Sequence, residues 1–296
     1  MKTTKFLALL FVSLFTITAC TNDDDEIILE EPTISDVEVG LNNNEIGVIG
    51  RDFHLNAELI AGDKIDLVKV SITPKIGEAY TSDWSFEITF DEFKGAKNAT
   101  VHKHFDIPED APEGVFDFII TVTDENGTSL EETRDIKIYA PENLPVDPQL
   151  YAMYTYKNEM YIEVPSETKF TKKDTLKSQS FISGVKGDGK MYLLLINKKH
   201  NHRPESIDNI DFSKAIVYDV SEHKNEEEVF TANNHLYYEV PSLIIGATND
   251  NDAPQPNSIE GDKSWDNGEY YFGVVYTNTT YNISVYHYTE ITLTGF

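Results

Sequence analysis

Three histidines in the first half of the chain have the side-chain type and spacing of a metal site. His102 and His104 lie two residues apart in a segment, 99–107, where apolar and polar residues alternate. Residues two apart in a β-strand leave the same face, about 7 Å from each other. Two imidazoles at this spacing can converge on one ion, and His54 from an earlier strand can supply a third ligand. The pattern predicts a zinc or copper site. The simpler alternative is a solvent-facing histidine pair with no cofactor.

Two other segments contain part of a pattern that is typical of metal ligands. His200 and His202 have the same spacing but follow two lysines in a predicted loop, where neighbouring positive charge opposes a bound cation. In the oxygen-rich segment 248–257, Asp250 and Asp252 alternate as calcium ligands do. This segment lacks the glycine and the closing glutamate of a helix-loop-helix calcium site. A plain surface loop is therefore predicted there.

Aromatic residues are concentrated in the second half. Fourteen of the 16 tyrosines lie at or beyond Tyr151, and Trp265 occupies a polar loop. Such side chains suit stacking on sugar rings, with Trp265 as the candidate contact in a glycan-binding surface. The alternative is structural, because tyrosine and phenylalanine are good strand residues.

The elements that would position these residues are β-strands. About seven alternating segments over 33–140 predict an immunoglobulin-like sandwich, with one hairpin closing at Asn126-Gly127. A proline-rich linker follows at 141–148. Residues 149–296 predict a second, mainly β domain of unknown type.

Within this second domain a turn is predicted at 187–189 and a strand at 235–240. The pattern also allows a short helix around 204–216. The predicted fold class of the whole chain is all-β.

The start of the chain predicts export. Residues 1–19 have the basic start and short apolar run of a signal peptide, and the run is too short to span a membrane. The residues before Cys20 resemble the lipobox of bacterial lipoproteins, which implies lipidation of Cys20. Residues 20–32 form a predicted acidic tether that resembles the surface-export signal of Bacteroidetes lipoproteins. The expected location is the outer membrane, lipid-anchored and exposed at the cell surface.

Charge and motifs limit the function. The formal net charge is −27, so a nucleic acid partner is excluded by repulsion of its phosphates. The sequence contains no nucleophile elbow, zinc-binding helix motif or phosphate-binding glycine loop. A non-catalytic role is therefore predicted.

Three stretches carry a family resemblance: Arg51-Asp-Phe-His-Leu-Asn-Ala, Val101-His-Lys-His-Phe-Asp-Ile-Pro and the segment 111–127. Through them, residues 32–140 resemble an uncharacterised family of Bacteroidetes lipoproteins with an immunoglobulin-like domain of unknown function. The resemblance implies histidine-rich relatives suited to metal handling. This chain departs from that pattern, since Phe116 and Phe118 stand where relatives carry histidines.

These observations together predict a non-catalytic cell-envelope lipoprotein that presents a binding or interaction surface. Its expected partners are the membrane, through the lipid anchor, and an outer-membrane transporter or an extracellular ligand. Two alternatives remain open. One is metal capture, of zinc or copper, by His54, His102 and His104, and the other is glycan binding by the tyrosine-rich half.

Overall fold

The computed structural model describes residues 29–232 and 240–296. Within these residues the regular elements are β-strands and single 3-10 turns, with no α-helix. The prediction of an all-β protein is confirmed. No helix in the described part of the chain is long and apolar enough to cross a membrane. Cys20, the predicted signal peptide and most of the strand predicted at 235–240 lie outside the described residues.

The strands of the described residues follow in chain order. They are β1 (Thr33–Val39), β2 (Ile46–Val48), β3 (Asp52–Ile60), β4 (Ile65–Pro74), β5 (Phe86–Thr89), β6 (Asn98–Asp106), β7 (Gly114–Asp124), β8 (Ser129–Tyr139), β9 (Gln149–Lys157), β10 (Met160–Tyr161), β11 (Lys169–Thr171), β12 (Thr175–Asn197), β13 (Ala215–Ala232), β14 (Ser242–Ile244), β15 (Gly268–Asn278) and β16 (Ile283–Thr294). The 3-10 turns are Leu41–Asn43, Asp91–Phe93, Pro141–Asn143, Pro165–Glu167, Lys198–His200, Ile207–Asn209 and Gly261–Lys263.

The first half of the described chain forms two sheets that enclose one core. One sheet has the order β1-β3-β6 and the other has the order β2-β8-β7-β4-β5. Alternate residues of β3, from Phe53 to Leu59, pack into this core together with Phe116 and Phe118. Phe116 and Phe118 are therefore core residues. The hairpin at Asn126-Gly127 joins β7 and β8, with Gly127 at φ +91°.

The second half forms one large sheet. Its path is β10-β9-β12-β15-β16-β11, and β13 and β14 also pair with β12. The turn predicted at 187–189 is wrong, because β12 runs through this segment: Gly187 and Gly189 pair with β13, and Gly189 also pairs with Asn278 of β15. Gly189 is needed there for space: a Cβ atom would come within 2.4 Å of His223 Nε2 and Tyr276 Oη.

The strands of the first half end at Tyr139, and those of the second half begin at Gln149. Contacts join the two halves near this point. Arg51 forms a two-pronged ion pair with Asp147, at 2.6 and 2.8 Å. The predicted limits of the two domains stay a prediction.

The segment between β12 and β13 brings Glu205 to the first half. The sequence pattern allows a short helix around 204–216. The structure has only the short 3-10 turn at Ile207–Asn209 in this range. Ile207 and Ile210 pack against a small apolar cluster of the second half. These contacts anchor the segment on the large sheet, so its polar side chains are held against the first half.

Candidate metal centre

The outer face of the sheet β1-β3-β6 carries a block of polar side chains. Since β3 alternates, Phe53 and Leu55 enter the core and His54 and Asn56 point the other way. Antiparallel pairing sets His54 directly opposite His104 and Asn56 opposite His102. The three predicted ligands, His54, His102 and His104, are therefore brought together on one face by strand register.

Glu205 is added to this face from the second half. The carbonyl oxygen of Pro204 accepts a hydrogen bond from the Tyr288 hydroxyl at 2.7 Å, and the backbone N–H of Ile207 donates to Thr277 Oγ1 at 3.2 Å. These bonds fix the backbone on both sides of Glu205. Its side chain is only 7% exposed and lies against the histidines.

Three donor atoms form a nearly equilateral triangle. His54 Nδ1 lies 3.4 Å from His104 Nε2 and 3.4 Å from Glu205 Oε2, and the third side, between His104 Nε2 and Glu205 Oε2, is 3.2 Å. Tetrahedral zinc with bonds of 2.0–2.1 Å requires neighbouring donors about 3.3–3.4 Å apart. The triangle therefore matches one face of a zinc coordination tetrahedron.

His102 borders this triangle without joining it. Its donor atom and the other three all lie within 4.8 Å of one another, and its ring centroid is 5.1 Å from that of His54. Its side chain is exposed.

In both His54 and His104, a carboxylate lies near the ring nitrogen that is not part of the donor triangle. Asp52 Oδ2 lies 2.6 Å from Nδ1 of His104, which leaves Nε2 to face the centre. Glu38 Oε2 lies 3.6 Å from Nε2 of His54, beyond hydrogen-bond length but on the correct side of the ring. Histidine ligands of metal ions usually donate their second N–H to such a group, which fixes the tautomer and ring orientation.

The charges of the cluster are strongly coupled. Burial alone would lower the pKa of His54, but the carboxylates of Glu205 and Glu38 outweigh it and raise this pKa to about 9. The Glu205 carboxylate, with a smaller contribution from Asp52, raises the pKa of His104. Burial, reinforced by the charge on His54, lowers the pKa of His102. Burial would raise the pKa of Glu205, yet His104 and His54 hold it well below the usual range.

Two buried atoms of the cluster lack hydrogen bonds. Within residues 29–232 and 240–296, Glu205 Oε2 and His54 Nε2 are fully enclosed and have no hydrogen-bond partner. A buried carboxylate oxygen without a donor is unfavourable by several kcal/mol in order of magnitude. Coordination of an ion at the centre of the triangle would satisfy Oε2 directly.

The second histidine pair does not form a comparable centre. His202 accepts a hydrogen bond through Nε2 from the backbone N–H of Asp211 at 3.0 Å, and its pKa is lowered by burial. Neither His200 nor His202 belongs to a group of potential ligands among the described residues. The loop that carries this pair contributes to the other site instead, through Glu205.

The oxygen-rich segment holds an internal ion pair. Asp250 Oδ2 lies 3.1 Å from Lys263 Nζ, and Oδ1 accepts from the backbone N–H groups of Asp252 and Asn257. The carboxylate is thereby saturated by protein donors.

Trp265 is involved in packing. Its ring stacks on Phe296 with centroids 5.9 Å apart, and its N–H donates to the carbonyl oxygen of Ala247 at 2.7 Å. One ring face and the polar group of Trp265 are thus occupied within the chain. Sugar stacking at this residue stays a prediction.

The sequence pattern did not reveal Glu205. It stands in a run, His-Arg-Pro-Glu-Ser, with no ligand spacing to the strand histidines. The structure places Asp52 behind His104, where it supports a ligand without being one.

Comparison with known proteins adds little about function. Residues 18–139 match the model of a family described as a domain of unknown function (DUF4625). This segment contains His54, His102 and His104, whereas Glu205 lies outside it. No curated protein gives a match.

Solved structures show only remote likeness. The chain is similar to dimeric latent PorU from Porphyromonas gingivalis, with 10% identity and a TM-score of 0.30, over 93% of this chain and 21% of that one. It is also similar to the alpha-2-macroglobulin of E. coli, with 10% identity and a TM-score of 0.27, over 89% of this chain and 14% of that one. The chain therefore spans about a fifth or less of the length of either protein.

Proposed function

We propose that this protein binds one divalent transition-metal ion, zinc in preference to copper, at the centre formed by His54, His104 and Glu205. The observation that carries this proposal is the donor triangle, with sides of 3.2–3.4 Å. Its oxygen and imidazole donors suit zinc, copper or nickel rather than calcium or magnesium.

The triangle favours zinc over copper(II) by its shape. Square-planar copper with bonds near 2.0 Å needs adjacent donors about 2.8 Å apart and opposite donors about 4.0 Å apart. The three observed separations are nearly equal, as a tetrahedron requires. Of the two metals expected from the histidine spacing, zinc therefore fits the geometry better.

The proposed role is capture of the ion at the cell envelope without catalysis. The sequence supports anchoring through Cys20 and a location on the outer membrane, next to a transporter or an extracellular source of metal. The acidic character of the chain favours cations in its surroundings, since a net charge of −27 raises their local concentration.

The test is calorimetric titration of zinc into the metal-free protein at neutral pH. We expect one ion per chain with sub-micromolar affinity. Glu205→Gln removes the anionic ligand while keeping the side-chain volume, and it should weaken binding about 100-fold or more, beyond the usual effect of losing a supporting partner. The double change His102→Ala and His104→Ala should abolish tight binding.

His287 supplies the control. His287→Ala removes an exposed imidazole on β16 that belongs to no group of potential ligands among the described residues, and it should leave zinc affinity unchanged. Zinc binding weaker than micromolar in the unaltered protein would refute the proposal. Equal losses in His287→Ala and in the double variant would show that zinc binds nonspecifically to histidines.

A further inference from the structure

A cavity of about 650 Å³ lies beside the metal centre, between the outer face of β1-β3-β6 and the segment 201–209. Its volume is within the range of small-molecule sites. His54, His102 and Glu205 belong to its wall. An ion held by the donor triangle would therefore lie at the edge of this cavity.

Polar groups of the cavity wall are available to a ligand. The carboxamide side chains of Asn56 and Asn201 line it, and neither has a hydrogen-bond partner within the described residues. The guanidinium of Arg203 is 49% exposed, and its nearest carboxylate oxygen, on Glu205, is 3.9 Å away. This distance is too long for a hydrogen bond, so the five N–H donors of Arg203 remain available to an anion.

A bound ion makes the charge of this wall more positive. The carboxylates of Glu38 and Glu205 and the guanidinium of Arg203 sum to −1. A divalent ion beside neutral imidazoles brings this sum to +1. The loaded cavity therefore attracts an anion more strongly than the metal-free cavity, in which a proton on His54 offsets only one negative charge.

We propose that the cavity binds a small carboxylate, which coordinates the metal ion through one oxygen and pairs with Arg203. This inference rests on the proposed metal binding. Carboxylate oxygen is a common zinc ligand, and guanidinium recognises carboxylates through paired N–H donors. The Asn56 and Asn201 amides can bond the rest of the molecule. On this proposal the protein recognises a metal–carboxylate complex and not the ion alone.

The test uses the full protein loaded with Co²⁺, whose visible absorption reports its coordination. Titration with malonate should change the spectrum saturably while the cobalt content of the protein stays constant. Malonamide, which is neutral and of similar size, should have no effect. Arg203→Gln should weaken malonate binding about 10- to 100-fold, the range for hydrogen bonds to charged groups, and should leave Co²⁺ affinity unchanged.

Arg134→Gln is the matched control, because Arg134 is similarly exposed, at 43%, and lies on β8 away from the cavity. It should bind malonate as the unaltered protein does. If Co²⁺ binds but malonate has no effect, malonamide acts equally, or malonate only removes the metal, the inference is overturned and the metal proposal stands. If Co²⁺ does not bind at all, both fail.

Discussion

Two buried carboxylates in loops of the second half have opposite surroundings. Asp250 is 3% exposed and Glu205 is 5% exposed. Asp250 receives hydrogen bonds from Lys263 and from the backbone of its own loop. Glu205 Oε2 faces two imidazole nitrogens and has no hydrogen bond within the described part of the chain. A buried carboxylate whose oxygens all have hydrogen-bond donors belongs to the fold. A buried carboxylate with an oxygen that lacks a donor can still bind a ligand.

The difference follows from where the partners come from. Lys263 and Asn257 are close to Asp250 along the chain, so the loop completes its own ion pair. Glu205 meets side chains of the first half, on strands that are set by a different core. The site at Glu205 therefore depends on the contact between halves.

The largest effect is expected from removing the partner of Asp250. Lys263→Met keeps the apolar stem but leaves the carboxylate buried without its cation. Breaking a buried pair in this way costs about 3–5 kcal/mol of the free energy of unfolding. Urea unfolding should show this loss, while the zinc affinity of the folded protein should not change.

The double variant Asp250→Asn, Lys263→Met removes both charges and is the control. It should recover most of the lost stability, because no unpaired charge remains. If Lys263→Met lowered the free energy of unfolding by less than about 1 kcal/mol, the contrast between the two carboxylates would be lost.

The next effect is a pH dependence of the Glu205 site. The pKa of His54 is raised from 6.5 to about 9 by its carboxylate neighbours, so the folded metal-free protein holds this proton more tightly than the unfolded chain. Its stabilising contribution is complete below pH 6.5 and is lost as the pH rises to 9. The free energy of unfolding should fall by roughly 2–3 kcal/mol across this window. His54→Asn should make this fall much smaller and leave only the part that comes from His104, whose pKa is also raised.

Zinc affinity should change in the opposite direction. The ion requires neutral His54, so each pH unit between 6.5 and 8.5 should raise the apparent affinity at least tenfold, through release of the His54 proton and of any proton on His104. Competition with a chelator of known affinity measures this slope. A flat profile would mean that His54 is not a ligand.

Part of this arrangement could be predicted from the sequence. Alternation along β3 and β6 indicates that the histidines leave one face, and it identifies Phe53 and Leu55 as core residues. The pairing of His54 with His104 depends on strand register, which alternation does not fix without the turn and the core. Glu205 was beyond prediction because only tertiary packing brings its loop to the first half.

Tertiary packing, which local sequence does not show, also explains why the turn predicted at 187–189 is wrong. Two glycines around an aspartate indicate a turn locally. In the structure, pairing with β13 keeps β12 continuous through this segment, pairing with β15 begins at Gly189, and register shifts in the β12–β13 pairing absorb the glycines. Close packing against His223 and Tyr276 requires a glycine at 189. Tertiary pairing overrides the local preference here.

The smallest effect tests a carboxylate that supports the centre without touching the ion. Asp52→Asn keeps the size of the side chain and replaces the charged acceptor of His104 with a neutral or wrongly oriented amide, so the imidazole becomes less basic. Zinc affinity should fall about tenfold, at the lower end of the range for such supporting partners, because Asp52 is largely exposed. Competition titration at pH 7 measures the change.

Asp106 provides the control for this variant. It lies directly opposite Asp52 in the strand register and is exposed. Asp106 can therefore affect zinc binding only through its charge, which solvent screens. Asp106→Asn should change zinc affinity by less than twofold, in the range of weak exposed charges. Equal losses in the two variants would show that Asp52 acts only through its charge. A loss confined to Asp52→Asn would show instead that Asp52 acts through its direct contact with His104.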